Sequence, residues 1–240
     1  MAKIEDILAR RTDLSTFLVH LCRDGKKASA KQRLKSILKD EVIKAVTAFG
    51  PAAPSLKKEE SIATQRCVCF TEAPLEQVAL LLGDIDGREC SFAPYGVAIT
   101  KKQGRKRGVN PVWYLDITPG HKWLTVPLNK LIAEAIKGGK FKDSHIARLA
   151  PFIEQMGTGN RVADGAEYRK EFWWEREWRH VGDFNLPAHV IVLCPDDERA
   201  EIAKAVDKDS IDARFIDPRW NLEQIIARLA GFDAGDVGPM

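Results

Sequence analysis

Glu175 and Glu177 lie two residues apart in EFWWEREWRHVGD, Glu171–Asp183, the most unusual stretch of the chain. Three tryptophans and a phenylalanine beside alternating charges suit a long strand better than a helix. A period of two puts Phe172, Trp174, Arg176, Trp178 and His180 on one face, and Trp173, Glu175, Glu177 and Arg179 on the other. The two carboxylates then project from one face roughly 7 Å apart. In a cleft such a pair divides labour, one carboxylate steadying an electron-poor centre while the other positions or deprotonates a nucleophile. The same spacing also describes a charged, exposed strand face paired with Arg176, Arg179 and cross-strand partners. The tryptophans either wall a ligand pocket or fill the core.

Other residues read two ways as well. His20 sits in the apolar run TFLVHLC and, taken alone, is a core histidine. Thr71 follows RCVCF and suits a helix N-cap or turn, with Pro74 three positions on; Glu72 and Glu76 would favour the first turn of that helix through its dipole. Cys67 and Cys69 read as packing residues. The run KKQGRKRG gathers Lys101, Lys102, Arg105, Lys106 and Arg107, either a nucleic-acid contact or a solvated loop.

Several chemistries are excluded by what the chain lacks. It has no GxxxxGK[ST] loop, no GxGxxG after a strand, no HExxH and no GxSxG. Its five histidines are scattered and no metal is expected. Five cysteines without CxxC spacing predict a reduced, cytoplasmic protein. No apolar run approaches the roughly 20 residues needed to span a bilayer, and the first residues, MAKIEDILARR, lack the apolar stretch of a signal peptide. With 240 residues, 45% hydrophobic and 30% charged, the composition is that of a globular chain with room for a sizeable core. The net charge of +3 hides basic excesses over residues 1–58 and 101–142 and an acidic one over 183–240.

The elements that must position these residues follow from periodicity. Strands are predicted at 16–22, 66–70, 95–101, 111–117, 171–183, 189–194 and 213–216. Helices are predicted at 4–10, 28–48 with Ser29 as cap and Gly50-Pro51 as stop, 74–82, 127–137, 143–155, 196–206 and 221–229. Residues 51–61 and 84–89 read as loop and turn, and 157–165 as a polar, mobile segment. The strands at 95–101 and 111–117, joined by the basic loop, form an expected hairpin. The fold class is α+β, one domain over 1–240.

Order along the chain adds a resemblance. CVCFTEAPLEQV at Cys67–Val78, YGVAITKK at Tyr95–Lys102, GVNPVWY at Gly108–Tyr114 and WEREWRHVGDF at Trp174–Phe184 resemble the abortive-infection phage-resistance family AbiGi. More remotely, His20, then Thr71, then the ExE pair are similar in order and spacing to the three-part motif of the ADP-ribosyltransferase superfamily, which includes toxins that modify nucleic-acid bases. That resemblance implies a split mixed β-sheet with flanking helices, clamping NAD as substrate, its motifs within 16–184 and the acidic 185–240 completing the sheet. It implies that His20 meets the adenosine ribose, Thr71 lies beside the nicotinamide ribose, Glu177 is the catalytic glutamate on the ribose 2-hydroxyl, and Glu175 orients the acceptor. Tyr95 or Trp113 would stack on nicotinamide. The first motif departs from the family's H-x-T, reading His20-Leu21-Cys22. The function so implied is a phage-defence or toxin effector that cleaves the nicotinamide–ribose bond of NAD and transfers ADP-ribose to a nucleic acid or protein. The alternatives are a non-catalytic antitoxin or sensor that partners a toxin, and a nucleic-acid-binding module or nuclease using residues 101–108.

Overall fold

The computed structural model describes residues 14–85, 88, 90–120, 122–160 and 165–232. Among them the strands are β1 (Phe17–Leu21), β2 (Val42–Ile43), β3 (Thr47–Ala48), β4 (Arg66–Thr71), β5 (Gly96–Thr100), β6 (Asn110–Pro111), β7 (Trp113–Asp116), β8 (Ile153–Asn160), β9 (Glu167–Lys170), β10 (Glu177–Val181), β11 (Phe184–Asn185), β12 (His189–Leu193) and β13 (Asp212–Ile216). The α-helices are α1 (Ala30–Asp40), α2 (Glu59–Ala63), α3 (Lys101–Lys106), α4 (Thr125–Lys137), α5 (His145–Leu149), α6 (Arg199–Ile202) and α7 (Leu222–Ala230). The fold is therefore mixed α+β, with a multi-stranded mixed sheet and several helices. The helix expected at 4–10 and part of the turn expected at 84–89 lie outside the described residues.

Contacts gather into two compact units, one of residues 1–42, 70–107 and 185–240, the other of 43–69 and 108–184. In the first unit β13 runs parallel to β12, β12 pairs β5 antiparallel, and β5 pairs β1 antiparallel from Phe17↔Thr100 to Leu21↔Gly96. The end of β4 joins at Val19↔Thr71. Val19, Leu21, Ala98, Ile191, Leu193 and Ile216 from these strands bury one face against Leu75, Val78, Leu81 and Ile225. Each large aliphatic chain so buried contributes on the order of 1.5–3 kcal/mol. Leu75–Leu81 forms a 3-10 helix opened by Pro74, with no side-chain cap, so neither Thr71 nor Glu72 plays the capping or first-turn role expected of it.

In the second unit the start of β4 pairs β3 at Thr47↔Cys67, and β10 pairs β6 at Trp178↔Pro111. A separate sheet joins β7 parallel to β8 and β8 antiparallel to β9. Leu128 and Ile132 of α4 pack with Ala52, Phe141, Ala147, Ala150 and Ile153.

Four expectations are corrected. The helix from 28 ends at Asp40: Glu41 takes a left-handed conformation (φ 55°, ψ 24°), and the β-branched residues after it enter β2 and β3. Residues 101–106 are not a loop. Thr100 and Gln103 form a reciprocal capping box that starts α3, with Arg105 and Lys106 at its favourable end. The hairpin is absent, because β5 pairs β1 and β12 while β6 and β7 pair β10 and β8. The helix expected over 143–155 gives way after Phe152 to β8, which carries the polar segment as strand as far as Asn160.

Ser29 does cap α1, with Gln32 returning the bond to its backbone. Ser29→Ala is expected to lower stability by about 1 kcal/mol, read as a shift of the urea midpoint with unchanged slope. A shift below a few tenths would show that α1 does not depend on its cap.

Candidate functional site

Glu177 begins β10, and two positions on, on the same face, stands Arg179, only 1% exposed. The guanidinium grips Glu177 with both arms, Nε to Oε1 at 2.9 Å and Nη2 to Oε2 at 2.7 Å. Nη2 also donates to Glu154 Oε2 at 2.6 Å, and Nη1 to the carbonyl of Pro151 at 2.8 Å. Its plane lies over Phe49, 4.6 Å from the ring centroid. Lys170 donates to the other oxygen of Glu154, so two cations meet two anions. Burial works against ionisation of Glu154, but Arg179 and Lys170 outweigh it and hold the carboxyl below its ordinary range. Burial opposes the charge on Arg179 too, yet Glu177 and Glu154 keep it firmly protonated.

Glu177 is held from further sides. Its backbone N–H donates to Tyr114 Oη at 2.7 Å, and the Cys69 thiol hydrogen-bonds its carboxylate. Both oxygens are thus committed to one buried fork, an arrangement that fixes geometry and charge rather than presenting a base to solvent.

Glu175 does not share that strand face, a correction to the ExE reading. Trp173–Glu175 is a 3-10 turn, and Arg176 is left-handed (φ 46°, ψ 59°), so the chain reverses character between the two glutamates. The long strand expected from 171 begins only at 177. The shared face of Glu177 and Arg179 follows the expected alternation.

The remaining candidates fall in different units. His20, Thr71 and Tyr95 belong to the first. His20 meets Phe70 edge-on at 6.0 Å, and its neighbour Val19 pairs with Thr71. The Tyr95 hydroxyl donates to Glu198 Oε2 at 2.8 Å; burial, then that carboxylate, pushes its pKa up to about 12. Trp113, 54% exposed, lies in the second unit with Glu175 and Glu177. Of the basic run, Lys101 reaches Glu72 at 2.5 Å, while Lys102, Arg105, Lys106 and Arg107 are exposed. Among the described residues no group of three or more His, Cys, Asp or Glu is placed to hold a metal, and no helix is long and apolar enough to cross a membrane.

Sequence reasoning missed Glu154 and Tyr114. Arg179 was visible two positions from Glu177, but nothing local signals that a residue 25 positions earlier closes the network.

Four of the five thiols are kept protonated for a shared reason. Burial pushes Cys22, Cys67 and Cys194 up to about 12, and Cys69 well above its ordinary value. At pH 8 a thiol of pKa about 12 is ionised roughly once in ten thousand. Native protein treated with iodoacetamide is expected to take at most one adduct, at Cys90, and five after denaturation. Two or more adducts before unfolding would refute this.

Residues 35–197, about two thirds of the chain, match the family model described as "Putative abortive phage resistance protein AbiGi, antitoxin". The chain belongs to the AbiGi family. No curated protein and no solved structure matches it.

Proposed function

We propose that this chain acts in abortive infection as the non-catalytic partner of a toxin. One observation carries the reading beyond the family description. Four of the six tryptophans, Trp113, Trp123, Trp173 and Trp174, are between 44 and 88% exposed, all of them in the second unit. Tryptophan is the residue most enriched among those that anchor protein interfaces, and a monomer seldom leaves so many uncovered. Beside Trp123, Leu124, Pro127 and Leu131 recur at spacings of three and four along α4, forming an exposed apolar row next to the buried Leu128 and Ile132. Exposed Lys122, Lys130, Lys137 and Lys140 lie along or beside α4, with Glu134, three residues after Leu131, pairing Lys130 at 3.9 Å. The surface fits a toxin that offers an apolar groove edged with carboxylates.

Transferase chemistry on NAD in a split sheet would need the Glu177 carboxylate to hold a ribose hydroxyl, whereas its two oxygens already engage Arg179. This also favours the partner reading.

Growth separates the possibilities. Expressed alone, the chain is expected to leave its host growing normally. Co-expressed with its cognate toxin, the chain restores growth, and Trp123→Glu together with Leu131→Glu abolishes the rescue without moving the thermal midpoint. If the chain alone arrests growth and depletes NAD, and Glu177→Gln removes both effects, the transferase reading replaces this one. If only charge reversal at Lys102, Arg105, Lys106 and Arg107 matters, and nucleic-acid binding weakens steeply with salt, the binding-module reading does.

A further inference from the structure

β10 alternates. Glu177 and Arg179 face the ion network, so His180, one step on, faces the other way, where it helps to line a cleft of about 440 Å³, open to solvent, within the second unit. The cavity lies within the 300–1,000 Å³ range of small-molecule sites. Its walls include Thr64, Lys142, Arg148, Phe152 and His180, and no acidic residue. Three of these side chains can be cationic, one is a hydroxyl and one is a flat aromatic ring.

The cations are not equivalent. Lys142 is offset by Glu60 at 2.7 Å. Arg148 makes no ion pair among the described residues, and is exposed at the cavity. His180 is fixed on one side only: Nδ1 contacts the carbonyl of Gly182 at 3.1 Å, and the ring stands edge-on to Phe184 at 5.3 Å. Donation from Nδ1 to that carbonyl leaves Nε2 as the nitrogen available to a ligand. A guanidinium with five donors and no ion-pair partner among the described residues suits a phosphate, which it can engage through two bonds. Phe152 offers a face on which a planar ring can stack.

We propose that this cavity binds a mononucleotide, with its phosphate on Arg148 and Lys142 and its base against Phe152. The site is separate from the exposed tryptophans and does not depend on the toxin-partner reading. In the cell it would make the protein responsive to nucleotide levels.

Titration calorimetry on the full purified chain tests this, with adenosine and guanosine 5′-monophosphate as probes and inorganic phosphate, adenosine and a 5′-phosphorylated oligonucleotide as comparisons. At least one mononucleotide is expected to bind more tightly than phosphate or nucleoside. Arg148→Glu should weaken it roughly tenfold to a hundredfold, the range for losing charge-assisted hydrogen bonds. Phe152→Leu should weaken nucleotide but not phosphate. Because Arg148 is exposed, its variant should melt with the wild type, and a variant that does not is replaced by Arg148→Gln. Absence of binding at millimolar mononucleotide would overturn the proposal. So would affinity unchanged by Arg148→Glu, phosphate binding as tightly as nucleotide, or an oligonucleotide binding far more tightly than either.

Discussion

Arg179→Met is expected to destabilise the protein by about 3–5 kcal/mol, the cost of removing one partner from a buried ion network. Methionine keeps the apolar stem of the side chain, so the loss comes from Glu177 and Glu154, of which, among the described residues, Glu154 alone keeps a cationic partner, Lys170. Arg179→Lys keeps the charge without the fork and should fall between the two. Adding Glu177→Gln and Glu154→Gln to Arg179→Met should recover much of the loss, because the buried anions are then gone as well. Urea unfolding measures all four proteins. A single-variant loss below about 1 kcal/mol would show that the network contributes nothing net, as exposed pairs commonly do.

That network and a separate pair, Asp217 with Arg219, set an acid dependence. The carboxyls of Glu154 and Asp217 are held low in the folded protein despite burial, by Arg179 and Lys170 in one case and chiefly by Arg219 in the other. In the unfolded chain they titrate near about 4.3 and 3.9. A depressed folded pKa contributes stability that is complete above the unfolded value and is lost as pH falls through the folded one. Wild-type stability should therefore drop below about pH 4. Arg179→Met, whose Glu154 has lost its main cation, should show a shallower acid limb.

Gly50→Ala is the second large effect. Gly50 has φ +86°, and a Cβ there would stand 2.0 Å from the carbonyl oxygen and 2.7 Å from the carbonyl carbon of Ala150, which is itself fully buried. Neither backbone atom can swing aside as a side-chain tip would. Left-handed strain of roughly 1–2 kcal/mol and forced separation of packed segments at about 1–3 kcal/mol together predict a loss of about 2–5 kcal/mol. Gly139→Ala isolates the first part: its φ is +68° with nothing within 4 Å of the added Cβ. Equal losses at the two positions would mean that the close approach at Ala150 carries no energy.

Much of this architecture is legible in the residues themselves. β1, β4, β12 and β13 are short β-branched or aromatic runs between turn residues, and α7 follows Asn221 with its period intact. α3 could have been read too, since T-x-x-Q at Thr100–Gln103 is a capping signature that the like charges and Gly104 disguise. Two features had no local signal. β8 is a strand because β7 and β9 pair with it, although IEQMGTGN has the composition of a loop. The ExE pair is split by a residue in an unfavourable conformation, which tertiary packing can impose and sequence alternation cannot foresee. The acid–base pattern of the candidate site was half visible for the same reason: Glu177 and Arg179 are neighbours on a strand, while Glu154 reaches them only through the fold.

Neither compact unit is continuous along the chain, and the first draws on three separate stretches. β1 and β5 can pair early, but β5 then waits for β12, and β12 for β13, which ends at Ile216. At roughly 5–20 residues per second, the ribosome needs about 5–20 s to go from the end of β5 to the end of β12. During that interval β5 presents an unpaired edge to the crowded cell. A message cleaved or a ribosome stalled anywhere upstream of β13 yields no smaller working version of the first unit. The supply of folded protein is thus tied to translation running past β13, and a block on protein synthesis would cut off new copies abruptly.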